Sequence, residues 1–218
     1  VGPNIIIYDL EILRGVPGRN GERIDGIEYC DGWHDHANMG ITVLGVYDYG
    51  EDMYRVFCGD NKREWANLVN DRRPLCVGFN NIPFDNSVLR ATAGWSVPNE
   101  AECYDLLREI WACAGLGPDF VYPSHAGYGL DAVCERNFGL RKSGHGALAP
   151  VQWQQGDFGA VIDYCLNDVR MTKCLMDKVL AREVIIDPKN MRRLLLRDVP
   201  VGFGMPMLGA EVRRLGLQ

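Results

Sequence analysis

Asn4-Ile5-Ile6-Ile7-Tyr8-Asp9-Leu10-Glu11-Ile12 is a β-branched, apolar run bounded by Pro3 before it and a glycine-rich, charged stretch after it. That composition reads as a buried β-strand. Residues two apart on a strand share a face, so Asp9 and Glu11 project together. Two carboxylates at the end of an apolar strand repel one another, and burying charge without a partner is costly. A hard divalent cation between them would be that partner. Taken alone, an Asp-x-Glu pair on a strand is weak evidence for metal, and its meaning depends on what the rest of the chain supplies.

Outward from this strand, residues 13–39 carry Gly15, Pro17, Gly18, Gly21, Gly26 and Gly32 among many charges, which predicts a long loop or an irregular hairpin. Residues 41–49 and 53–58 read as paired strands joined through Gly50-Glu51-Asp52. Asp60 or Asn61 is placed to cap a helix running to about Asp71, and 75–79 is a further short apolar strand. Helices are expected over 84–93, over 102–114 and over 129–138, the last closed by Gly139 in a left-handed cap. Asp157 is then placed to cap a long helix reaching about Glu183. Three strands first and helices later, with one strand between, point to an α/β sandwich whose first three strands are consecutive and antiparallel. There is no internal repeat.

The 218 residues, 47% of them apolar, suffice for one substantial core. One domain over 1–188 with a basic tail over 189–218 is expected. No apolar run approaches the length of a membrane span, and the first residues have no signal-peptide pattern. A soluble, cytoplasmic protein of a bacterial or phage-infected cell is the expectation. The eight cysteines are scattered with no Cys-x-x-Cys pair, which fits reduced thiols better than a disulfide framework. Cys30, His34 and His36 lie close in sequence but lack a fourth ligand at zinc spacing, so a polar surface loop is the alternative reading.

A formal net charge of −6 argues against a protein that simply coats nucleic acid. The average conceals Lys189, Arg192, Arg193, Arg197, Arg213 and Arg214 in the tail, opposed only by Asp198 and Glu211. A carboxylate metal site beside a basic patch gives this balance, and so does an acidic protein with a solvated basic tail.

Two further acidic positions join the first pair. Asp85 follows the strand at 75–79 through Asn80-Asn81-Ile82-Pro83, at the start of a helix near a strand's carboxyl end. By itself it also reads as a helix cap. Tyr164 and Asp168 are four apart on the long helix, so one face carries a phenol and a carboxylate together. In isolation that pair also reads as a surface tyrosine beside an ordinary acid.

Together these segments resemble the DEDD exonucleases, in the tyrosine-bearing DEDDy branch that includes the proofreading domains of DNA polymerases. Tyr8-Asp9-Leu10-Glu11 is similar to the first exonuclease motif, Gly78-Phe79-Asn80-Asn81-Ile82-Pro83-Phe84-Asp85 to the second, and Tyr164-Cys165-Leu166-Asn167-Asp168 to the third. Gly129-Leu130-Asp131-Ala132-Val133 with Gly139-Leu140-Arg141-Lys142 is similar to the segment between motifs two and three in stand-alone bacterial and phage members. The chain departs from the pattern in its longer insertion after the first strand and in its basic tail. His145 lies too far before Asp168 to replace Tyr164.

The resemblance implies an RNase H-like fold, a mixed β-sheet flanked by helices. It implies 3′→5′ exonuclease activity on single-stranded or 3′-ended nucleic acid, DNA ahead of RNA, releasing 5′-mononucleotides. Asp9, Glu11, Asp85 and Asp168 would hold two Mg²⁺ or Mn²⁺ ions, all-oxygen ligation being suited to hard cations. Tyr164 would orient the attacking water, its ordinary pKa being too high for a general base at neutral pH. Leu10, Asn80, Phe84 and Lys142 would contact substrate, with Phe84 also readable as core and Arg141 and Lys142 as a solvated loop. Trp33 and Trp153 are stacking candidates for which scaffold packing is the alternative. The competing readings are a catalytically silent nucleic-acid-binding module and an RNase H-like endonuclease.

Overall fold

The central strand β1 (Ile5–Ile12) pairs antiparallel with β2 (Ile41–Asp48) on one side and parallel with β4 (Leu75–Gly78) on the other. Outside these lie β3 (Met53–Phe57), antiparallel to β2, and β5 (Cys103–Asp105), parallel to β4. The result is a five-stranded mixed sheet ordered β3-β2-β1-β4-β5, whose first three strands are antiparallel as expected. The computed structural model describes residues 2–18, 20–141 and 146–203.

Alternation along β1 sets up two layers. Ile5 and Ile7 face a core shared with α4 (Leu106–Ala114), α5 (Leu130–Phe138) and α7 (Phe158–Leu180). Ile6, Tyr8, Leu10 and Ile12 face the opposite core, which takes Trp65 and Leu68 from α2 (Lys62–Asn70) and Val88 and Leu89 from α3 (Asp85–Ala91). Asp9 and Glu11 continue the odd-numbered face, so the strand's own period delivers both carboxylates to the side on which α7 packs.

That close packing needs Gly45, the register partner of Asp9 on β2. A Cβ there would lie 2.9 Å from the Cys165 sulfur and 3.3 Å from Val169 Cγ2. The glycine lets α7 settle onto the sheet beside the acidic pair.

The structure differs from expectation where short elements carry the chain. Residues 100–102 form a 3₁₀ turn and 103–105 a strand, so the helix expected from residue 102 begins at Leu106. The reason is Asp105. Its carboxylate accepts the Leu107 and Arg108 N–H groups as a helix N-cap, while Cys103 and Tyr104 pair with Cys76 and Val77. Residues 13–39 are largely irregular, with the four-residue helix α1 (His36–Met39) at the end, and α6 (Ala149–Gln154) precedes the long helix. Asp157 accepts from Ala160 N–H at 3.4 Å and Gly139 has φ 68°, both in the expected capping roles.

The beginning of the basic segment packs on the domain. Strands β6 (Ile185–Ile186) and β7 (Arg193–Leu194) form a hairpin, Leu194 and Leu196 are buried in the α4 core, and Tyr104 OH donates to Arg197 O at 2.6 Å. Arg213 and Arg214 lie outside the described residues. Among the described residues no helix is long and apolar enough to cross a membrane.

Candidate active site

The acidic pair, the second-motif loop and the long helix meet at the carboxyl-terminal half of β1. Ligand atoms of Asp9, Glu11 and Cys165 all lie within 4.8 Å of one another. Asp85 opens α3, is buried, and accepts the Leu10 backbone N–H at 3.2 Å. Burial, reinforced by the neighbouring Asp9 carboxylate, pushes the Asp85 carboxyl well above the usual carboxylate range. Asp168, also buried, lines one cleft with Asp9. The structure therefore gathers Asp9, Glu11, Asp85 and Asp168 from three separate elements around Asp9. Tyr164 sits one helical turn before Asp168, and a Cβ on Gly146 would approach its hydroxyl to 3.2 Å.

The donor set suits a hard divalent cation. Carboxylate oxygens predominate, and the like-charge repulsion that raises Asp85 is what a bound cation relieves. Cys165 does not turn the site toward a soft metal. Burial first, and then Asp9 and Glu11, push its thiol well above the ordinary value, which leaves it neutral against the Asp9 carbonyl at 3.4 Å. Cys30 is buried with its Sγ–H toward the Gly15 and Gly32 carbonyls, and does not group with His34 and His36 as a metal cluster among the described residues.

Behind the acids lies a polar network that the sequence did not reveal. Tyr8 OH donates to Asn86 Oδ1 at 2.6 Å and accepts from Asn81 Nδ2 at 3.0 Å, tying β1 to both ends of the second-motif loop. Asp105, buried, accepts the N–H groups of Asn80 at 3.0 Å and Ile82 at 3.2 Å as well as capping α4. Asn80 itself has φ 69°, a left-handed conformation that Asn tolerates better than most residues. The one available signal was that Asp105, a residue type favoured as an N-cap, directly precedes the apolar Leu106-Leu107.

The substrate-contact candidates fall in different places. Leu10 is buried in the core on the face opposite Asp9, where its side chain packs rather than lining the cleft, and its N–H serves Asp85. Asn80 lines the cleft. Phe84 is half-buried, with His36 edge-on at 6.0 Å and the exposed Trp33 at 5.9 Å, so the insertion after β1 lays two rings against the second motif. Trp153 packs on Phe158 at 4.6 Å. Arg141 pairs with Glu135, and Lys142 and His145 lie outside the described residues.

A family model for the RNase H superfamily matches residues 29–180, some seven-tenths of the chain. The chain belongs to the RNase H superfamily. The mixed sheet with its antiparallel first strands is this superfamily member's fold, and the matched region contains Asp85, Tyr164 and Asp168 but begins after Asp9 and Glu11. Among solved structures the RNase H domain is similar to Trypanosoma brucei RNase D, at 13% identity and TM-score 0.49 over 87% of this chain and 60% of that one. It is also similar to a chain of an ExoI/SSB-Ct complex, at 16% identity and TM-score 0.38 over 80% of this chain and 43% of that one. The chain spans less than two thirds of the length of either. No curated protein matches it.

Proposed function

We propose that this RNase H superfamily chain is a divalent-metal-dependent 3′→5′ exonuclease of the DEDDy type, with the nuclease domain over residues 1–188. The observation that carries the reading is the convergence of Asp9 and Glu11 from β1, Asp85 from α3 and Asp168 from α7, with Tyr164 one turn from Asp168. A module that only binds nucleic acid gains nothing from clustering negative charge where phosphates must approach.

Asp9, Glu11, Asp85 and Asp168 would hold two Mg²⁺ or Mn²⁺ ions, whose Lewis acidity would supply an activated water and charge stabilisation for the departing 3′-oxygen. The chain's residues do the positioning. Leu10 N–H fixes one Asp85 oxygen, Asp105 fixes the loop that delivers Asp85, and Gly45 sets the distance from α7 to β1. Tyr164 OH orients the attacking water by a hydrogen bond. Asn80 and Phe84 contact the substrate end, and Lys142 meets a phosphate.

The substrate is nucleic acid with a free 3′ end, DNA ahead of RNA, and the products are 5′-mononucleotides. A time course on 3′- and 5′-labelled DNA and RNA oligonucleotides with Mg²⁺, Mn²⁺ or EDTA tests this. Circular and 3′-blocked substrates should stay intact, and cleavage of either would favour an endonuclease instead.

A further inference from the structure

We infer that the loop between α4 and α5, residues 115–129, is a stacking clamp for the base of the substrate's 3′-terminal nucleotide, with Phe120 as the stacking face; this rests on the exonuclease reading above. A cleft of about 430 Å³ runs from Asp9 and Asp168 past Phe79 and Asn80 to Trp111, Phe120, His125 and Tyr128. One end is acidic and the other aromatic. A nucleotide whose phosphate sits at the cation-bearing end places its base toward the aromatic end.

Three consecutive large apolar residues of this loop are exposed: Phe120 at 60%, Val121 at 58% and Tyr122 at 78%. A run of three consecutive exposed apolar side chains beside an open cleft marks a binding surface. Solvent-facing aromatics beside a phosphate site suit nucleobases, every one of which has a π-face.

The loop is also braced to hold that face in place. His125 is buried beneath it; its Nε2–H donates to Gly117 O at 3.0 Å, leaving Nδ1 to accept from Val121 N–H at 3.2 Å, while the Ser124 hydroxyl donates to Val121 O at 2.9 Å. Trp111 meets the imidazole edge-on at 4.6 Å, and Phe120 lies 6.0 Å from it. The buried Trp111 indole N–H has no hydrogen-bond partner among the described residues, a donor left over in the cleft wall. On the far side, Tyr128 OH donates to Asp187 at 3.1 Å and Lys189 Nζ to Ser124 O at 2.8 Å. The ring of Phe120 is thus presented on a fixed support, so little ordering entropy opposes stacking.

The test measures binding rather than turnover. Oligonucleotides carrying 2-aminopurine or an abasic site at the 3′-terminal position are titrated with wild type, Phe120→Leu and Phe120→Trp in Ca²⁺, with thermal melts to show that each variant folds. Wild type should quench the 2-aminopurine and bind it about 5- to 150-fold more tightly than the abasic end, the range for one base–aromatic stack. Phe120→Leu should lose the quenching and most of the discrimination, and Phe120→Trp should keep both. If Phe120→Leu discriminates as well as wild type, the clamp is refuted while the exonuclease reading stands. If wild type binds neither end and releases no nucleotide with Mg²⁺ or Mn²⁺, the exonuclease reading fails with it.

Discussion

The Leu10 backbone N–H donates to Asp85 Oδ1 at 3.2 Å, so the central strand and the first residue of α3 are joined by an acidic side chain rather than by packing alone. An N–H donor favours the carboxylate, yet burial and the adjacent Asp9 outweigh it and raise the Asp85 pKa. The acidic cluster therefore stores unfavourable electrostatics.

Stability without metal should depend on pH through Asp85. Between its unfolded value near 4 and its raised folded value, the native state binds more protons than the unfolded chain, so the stabilising contribution is full below the former and lost as pH rises through the latter. In EDTA, Asp85→Asn should raise the melting temperature more at pH 8 than at pH 5. Equal shifts at the two pH values would contradict the electrostatic assignment.

Gly45 should tolerate no side chain unless α7 gives way. Gly45→Ala is expected to cost about 1–3 kcal/mol, the usual range for overpacking, and to reduce turnover by shifting Tyr164 and Asp168. Adding Cys165→Ala removes the nearest atom, at 2.9 Å, and should recover part of the loss. A denaturation cycle with no coupling between the two positions would show that the contact is relieved elsewhere.

Asp105 is expected to be a positioning residue. It accepts from two N–H groups of the second-motif loop and two of α4, so Asp105→Ala leaves several donors without their acceptor and should cost at least about 2 kcal/mol. At a temperature where the variant remains folded, kcat should fall because Asp85 loses its register. Asp105→Asn, which keeps a carbonyl oxygen, should recover part of that activity, and unchanged kcat in Asp105→Ala would remove this role.

The candidate site was legible as a grouping of residues because β1, the second-motif segment and the long helix are each strongly patterned, and because strand and helix periods fix which face Asp9, Glu11, Tyr164 and Asp168 occupy. What was not legible depends on tertiary pairing. The three residues of β5 are too few to show a period, and their apolar character merged with the helix that Asp105 starts. Leu10 follows Asp9 in sequence but faces the opposite core, a consequence of strand alternation that the motif alone obscures. The loop after α4 reads as Gly-, Pro- and Ser-containing connection until His125 is seen buried beneath it.

Tyr164 should behave as an orienting group. Tyr164→Phe is expected to retain metal binding by calorimetry and lose about 10- to 1,000-fold in kcat, below the full scale of general acid–base groups because a phenol that orients water transfers no proton. Wild-type kcat in this variant would make Tyr164 a packing residue.

The most direct measurement is release of 5′-mononucleotides from a 5′-labelled single-stranded DNA in Mn²⁺ or Mg²⁺ by wild type, Asp9→Ala and Asp168→Ala, with melts in EDTA alongside. Wild type should shorten the labelled strand stepwise from its 3′ end, and both variants should be inactive while melting at or above the wild-type temperature. Stepwise shortening by Asp9→Ala at the wild-type rate would contradict the assignment of these carboxylates as the metal-holding centre.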